Sequence, residues 1–218
     1  MNEPRTRTIK QPLLIACGPN IIPMKQKAIT HYLDGRQSLD HTPNEKCLKI
    51  LMTNRAFAQI YNETRDKDPN ETGGLLLGHY IDGIWYIIES SDPGYGGIFR
   101  HSYHESDEHY ANHVCSILSR TYKHPLNFLG MWHRHPGPMD TFSGTDDVTN
   151  KKYAKSAGNG CISLLVNKDP HFRLTAYYVE AMPNEIVYTK TDMEVGDNHI
   201  TRHDVQEIAS QRDIDKRG

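Results

Sequence analysis

At 218 residues the chain is long enough for one domain with extensions, or for two small ones. Its 37% hydrophobic content allows a core with polar segments left over, and a formal charge of -2 gives no bulk attraction to nucleic acid or to an anionic membrane. The opening MNEPRTRTIKQP has no apolar signal region and no apolar run approaches the roughly 18 residues of a membrane span, so a cytoplasmic protein with no membrane or nucleic-acid partner is expected.

Residues 1–45 carry Pro4, Pro12, Pro19, Pro23 and Pro43 around one apolar run, PLLIAC, and read as an irregular arm or small subdomain with one strand. From Lys46 the text becomes regular. CLKILM fits a strand, and Thr53 is a good N-cap for a helix over 54–65 that aligns Ala56, Phe57, Ile60 and Tyr61 on one face. TGGLLLGHYI and GIWYIIES are two strands joined at Asp82-Gly83, a hairpin signal. SDPGYGG follows as turns. Residues 105–121 read as a helix with Tyr110, Val114, Ile117 and Leu118 inward.

LNFLGMW is a strand that runs into two histidines, and SGTDDVTNKKYAKSA is a helix opened by a cap-like Ser143 and closed at Gly158. CISLLVNK and FRLTAYYVE are strands, the second alternating through Phe172, Leu174, Ala176 and Tyr178. Residues 46–182 thus make the regular domain. Residues 183–218 are a polar C-terminal extension with one helix near 203–214. Helices and hairpin-joined strands together favour an α/β (α+β) fold with a mixed central sheet over a purely parallel one. Cys17, Cys47 and Cys161 lie in or beside apolar runs and, with Cys115, form no paired spacing, which argues for core thiols rather than a disulfide framework.

The chemistry concentrates in GMWHRHPGPMDTFSGTDD, residues 130–147. His133 and His135, at i and i+2, point the same way from an extended strand end. Asp146 follows Ser143 by three residues at the start of the next helix, so a strand end and a helix start can converge on one ion. Asp147 is an alternative ligand, or else caps or faces solvent at the helix start. Two imidazole nitrogens, one carboxylate and an open position form the donor set of a catalytic zinc site, and no cysteine stands near. Such a site needs a base, for which Glu71 before the glycine-rich strand is the candidate, and a donor to a developing oxyanion, for which Ser143 is the candidate.

These residues resemble the JAMM/MPN+ zinc metalloprotease family. Its pattern is a Glu ahead of a glycine-rich strand, then H-x-H-P, six residues, Ser, two residues and Asp. Here that is Glu71 in ETGGLLLG, then His133-Arg134-His135-Pro136, Ser143 and Asp146, within a likeness covering about residues 46–180. The resemblance implies an MPN-type mixed sheet flanked by helices, with zinc on His133, His135 and Asp146, Glu71 as general base and Ser143 at the oxyanion. It also implies cleavage after the C-terminal glycine of a ubiquitin-like protein. Arg134 departs from the Ser or Thr usual in eukaryotic members and, in a strand, should face away from the metal.

The wording is closer to the prokaryotic branch. This points to a bacterial ubiquitin-like conjugation or antiphage-defence system with E1/E2-like conjugation proteins as further partners. The alternatives are a peptidase that processes sulfur-carrier proteins and a non-catalytic MPN scaffold. A relative of the RadC group acting on DNA is disfavoured by the Ser143 spacing and the lack of a basic patch. His101, His104, His109, His113 and His124 are read as a polar outer helix face, the alternative being that this segment borders the site. Trp132 is read as core packing, with a channel wall as the alternative.

Overall fold

Apolar runs bounded by turn residues become the strands of one large mixed sheet. The structure, a computed structural model, describes residues 29–34 and 46–217, so the strand expected at residues 12–17 lies outside it. The elements in chain order are β1 (Ile29–Asp34), β2 (Lys49–Met52), α1 (Asn54–Asp66), β3 (Gly73–Ile81) and β4 (Ile84–Ser90). Next come β5 (Ile98–Arg100), β6 (Tyr103–Glu105), α2 (Glu108–Thr121), β7 (Asn127–Arg134) and α3 (Gly144–Ala157). The last are β8 (Cys161–Asn167), β9 (Arg173–Ala181), β10 (Glu185–Lys190), β11 (Met193–Val195) and a short α4 (Gln211–Asp215).

Among the described residues nine strands run in the order β1-β10-β9-β8-β7-β3-β4-β2-β11, while β5 and β6 form a separate hairpin. β7 pairs antiparallel with β3 and parallel with β8, and β3 pairs antiparallel with β4, so the sheet is mixed as expected. The β3–β4 turn places Asp82 at φ 51° and Gly83 at φ 80°, the two positive φ values a two-residue hairpin of this hand requires.

Strand alternation assigns the two faces of the sheet. On one face Leu76, Ile87, Trp132, Leu164 and Tyr178 pack with Ala56 and Ile60 of α1, whose first turn is capped by the Thr53 side chain. On the other, Leu165, Val179 and Tyr188 pack with Tyr153 and Ala154 of α3, and Leu77, Tyr86 and Ile88 pack with Cys115 and Leu118 of α2. All seven residues of β8 are buried, which is why CISLLVN reads as a continuous apolar run rather than an alternating one. Gly130, at φ 149°, lets the centre of β7 lie against β8; a Cβ there would stand 1.8 Å from the Ile162 carbonyl oxygen.

Three expectations are corrected. In α2 the inward face is Ala111, Cys115 and Leu118, at i, i+4 and i+7, while Ile117 is 47% exposed. The polar stretch after residue 183 supplies two strands, with β10 beside β9 and β11 beside β2. Ile186 and Tyr188 of β10 are buried, and the intervening residues are not fully buried. The helix expected near 203–214 is reduced to a 3-10 turn at His203–Gln206 and the five residues of α4. Cys47 and Cys161 are buried free thiols and Cys115 is free and half-buried, while Cys17 lies outside the described residues. Among the described residues no helix is long and apolar enough to cross a membrane.

Candidate metal centre

The β7 register sets the centre. His133 pairs with Gly73 on one side and Leu165 on the other, and the His135 N–H donates to the Val166 carbonyl at 3.0 Å. With one residue between them, both imidazoles project toward the face covered by α2 and α3, and they are only 1% and 2% exposed. Their Nε2 atoms lie 2.7 Å apart. Both Nδ1 atoms are buried without a hydrogen-bond partner among the described residues, so there the rings are oriented by the strand and by packing. Phe142 supplies that packing, with ring centroids 5.6 Å from His133 and 6.4 Å from His135.

The third member comes from the start of α3. Ser143 is its N-cap, and the Ser143-to-Asp146 spacing closes a reciprocal capping box. The Asp146 N–H donates to Ser143 Oγ at 3.3 Å, and the Ser143 N–H donates to Asp146 Oδ2 at 2.7 Å. The helix cap therefore also aims the carboxylate. Asp146 Oδ1 stands 3.4 Å from His133 Nε2, and Oδ2 stands 3.3 Å from His135 Nε2. Burial works to raise the carboxyl pKa, but bonds with His133, His135 and Ser143 hold it well below the usual carboxylate range.

One ligand atom from each of His133, His135 and Asp146 lies within 4.8 Å of the others, so the three can hold one metal ion. Two nitrogens and one oxygen, with both imidazole edges aimed inward and no thiol in the group, suit a zinc site with an open position. Asp147, weighed as an alternative ligand or a solvent-facing cap, instead accepts a hydrogen bond from the Tyr188 hydroxyl at 2.8 Å.

Glu71 lies just before β3 and is half-buried. Its N–H donates to the Arg100 carbonyl at 2.8 Å, which ties the base of β3 to the β5–β6 hairpin. Burial pushes its carboxyl up to about 7; His135 opposes the rise, Asp146 adds to it, and Arg134 opposes it. Arg134 faces away from the histidines, as its place in the strand predicts, and its guanidinium is bound by Asp68 and the Asn70 carbonyl.

Two further residues stand beside the centre: His104, which is not on the expected polar outer face and instead bears out the alternative that its segment borders the site, and Phe142, which the sequence reading does not single out. His104, on β6, stacks beside His133 with ring centroids 6.3 Å apart. It lies directly over Gly73, where a Cβ would come within 2.7 Å of His104 Nε2, so the glycine makes room for the ring. Burial, reinforced by His133, pushes the His104 imidazole down to about 4. Phe142 is the second, and its place immediately before Ser143 was the available signal. His101, His109, His113 and His124 are exposed, as the polar-face reading requires. Trp132 is fully buried on the α1 face and donates from Nε1 to the Ser91 carbonyl, so it packs the core rather than lining the centre.

The solution structure of protein DSY2949 from Desulfitobacterium hafniense is 13% identical, over 69% of this chain and 97% of that one, with a TM-score of 0.49. No curated protein matches the chain. The family described as prokaryotic homologs of the JAB domain matches residues 53–185, a span that starts at the cap of α1, takes in both histidines and the capping box, and ends at β10. Because that span is more than half of the chain, this protein belongs to the family of prokaryotic JAB-domain homologs.

Proposed function

We propose that this chain is a zinc-dependent peptidase or isopeptidase that hydrolyses the bond after the C-terminal glycine of a ubiquitin-like protein. The observation that carries the reading is the convergence of His133, His135 and Asp146, with the half-buried Glu71 just before the neighbouring strand β3. His133 Nε2, His135 Nε2 and the Asp146 carboxylate would hold zinc. Zinc in such a site lowers the pKa of water toward neutrality and polarises a carbonyl.

The remaining steps belong to the chain itself. Glu71, whose carboxyl pKa burial raises in the metal-free site, would take a proton from the attacking water and pass it to the leaving amine. Ser143 Oγ accepts from the Asp146 N–H, so its own proton is left to donate to the developing oxyanion. Phe142, packed against both histidines, limits water on that side of the centre.

The test is a panel of ubiquitin-like proteins fused through their terminal glycine to a reporter and read by intact mass, with zinc or with a chelator. The panel includes thiocarboxylate and cysteine-adduct forms of sulfur-carrier proteins. A zinc-dependent cut after the glycine of an amide-linked fusion is expected. Cleavage confined to the sulfur-carrier adducts would contradict the isopeptidase reading, and no cleavage of any fusion by folded, zinc-loaded protein would favour the scaffold.

A further inference from the structure

Between the two histidines, and on the opposite face of β7, stands a buried arginine. The Arg134 side chain is 3% exposed. Its Nη1 donates to the Asn70 carbonyl at 2.6 Å and its Nη2 to Asp68 Oδ1 at 2.6 Å. Its backbone N–H donates to the Thr72 carbonyl at 2.8 Å. One residue thus binds positions 68, 70 and 72, and Glu71 lies inside that span. Lys168 pairs with the second carboxylate oxygen of Asp68, and the Thr72 hydroxyl donates to Glu63 Oε1 of α1 at 3.0 Å.

A buried cation is tolerated only with its partners in place, and the planar guanidinium fork fixes two acceptors at once. The segment and the arginine therefore hold each other in one arrangement.

We infer that Arg134 is a positioning residue: it clamps residues 68–72 so that Glu71 stands at a fixed place relative to the His133–His135–Asp146 centre. The inference rests on the reading of Glu71 as the base. Three consecutive residues at the end of β7 then set both halves of the site, with 133 and 135 at the metal and 134 holding the segment that carries Glu71. Neither a lysine nor a short hydroxyl residue can reach both acceptors with the same geometry.

The experiment uses the full, zinc-loaded chain with Arg134→Met, and Asp68→Ala as a second variant that breaks the same clamp from its more exposed side. Amide hydrogen exchange at residues 68–72 is expected to quicken about tenfold or more in both. Zinc affinity, read by competition with a chelating dye, stays within about threefold because no ligand is touched. On a ubiquitin-like fusion, kcat falls about 10²-fold with KM little changed, the cost of a misplaced base. In a Glu71→Gln background, Arg134→Met lowers the residual rate by less than about threefold, since the two act through one group.

Unchanged exchange at 68–72, or a full loss of rate added on top of Glu71→Gln, overturns the inference. A Glu71→Gln enzyme that keeps its rate refutes the base assignment instead, a failure that is separate from the exchange result.

Discussion

Glu71→Gln is expected to lower turnover by about 10²–10⁴-fold, the usual contribution of a positioned general base, with zinc binding unchanged. The substitution keeps the shape of the side chain and removes its ability to ionise. In the wild type, kcat/KM should fall on the acid side as Glu71 takes up its proton. Burial raises the carboxyl pKa to about 7 without metal, and a bound dication lowers it from there, so the limb lies below about 7. The acid limb should be missing from whatever activity the variant retains.

The same shift predicts a stability change of opposite sense. The Glu71 pKa is raised from the ordinary 4.5 to about 7 on folding, so the native state keeps a proton that the unfolded chain has already lost. Its contribution to stability is fully present below about 4.5 and is lost as pH rises through about 7. In metal-free protein Glu71→Gln should therefore match the wild type near pH 4.5 and exceed it at pH 8, measured by urea denaturation with chelator present. An inactive variant that is more stable at pH 8 is the pattern of a functional site held against its own stability. A variant no more stable at pH 8 would mean that the carboxylate is well solvated and unsuited to the role.

Asp146→Ala should remove two things at once. Structural zinc sites bind with about 10–16 kcal/mol shared over four ligands, so losing one ligand should weaken zinc by roughly 10²–10³-fold. The capping box also opens, since Oδ2 no longer accepts the Ser143 N–H, at about 0.5–1 kcal/mol of metal-free stability. Asp146→Asn separates the two effects. Its amide oxygen can still accept the Ser143 N–H, so most of the metal-free stability should remain while zinc affinity still falls. Competition with a zinc-chelating dye and urea denaturation with chelator read the two losses independently. Zinc binding at wild-type strength in Asp146→Ala would move the third ligand elsewhere, with Asp147 the next residue to test.

Local rules made much of this molecule readable from sequence. Asp82-Gly83 announces its hairpin because few residues adopt two successive positive φ values. The i, i+2 histidines share a face because strands alternate, and Ser143 to Asp146 is the spacing at which an N-cap and its third helical residue bond reciprocally. What escaped was non-local or half-hidden. Arg134 meets partners more than 60 positions away, which no local pattern encodes. The β5 and β6 strands have three residues each, too short to show a period, so a polar outer face is the first reading of His104 and a border of the site only the alternative. The β10 sequence EIVYTK buries Ile186 and Tyr188 against a polar background, and its low overall hydropathy hid a real alternation. In α2 Leu118 faces inward as expected, but Ile117 does not, and the small Ala111 and Cys115 complete the buried face.

The most direct test of the metal centre is X-ray absorption at the zinc edge on the zinc-loaded chain, beside His133→Ala. The account predicts scattering from two imidazoles, with light-atom neighbours at about 2.0–2.2 Å, no sulfur shell at about 2.3 Å, and one imidazole fewer in the variant. A sulfur shell, or a spectrum that His133→Ala leaves unchanged, would place the metal outside the His133–His135–Asp146 cluster and contradict the account.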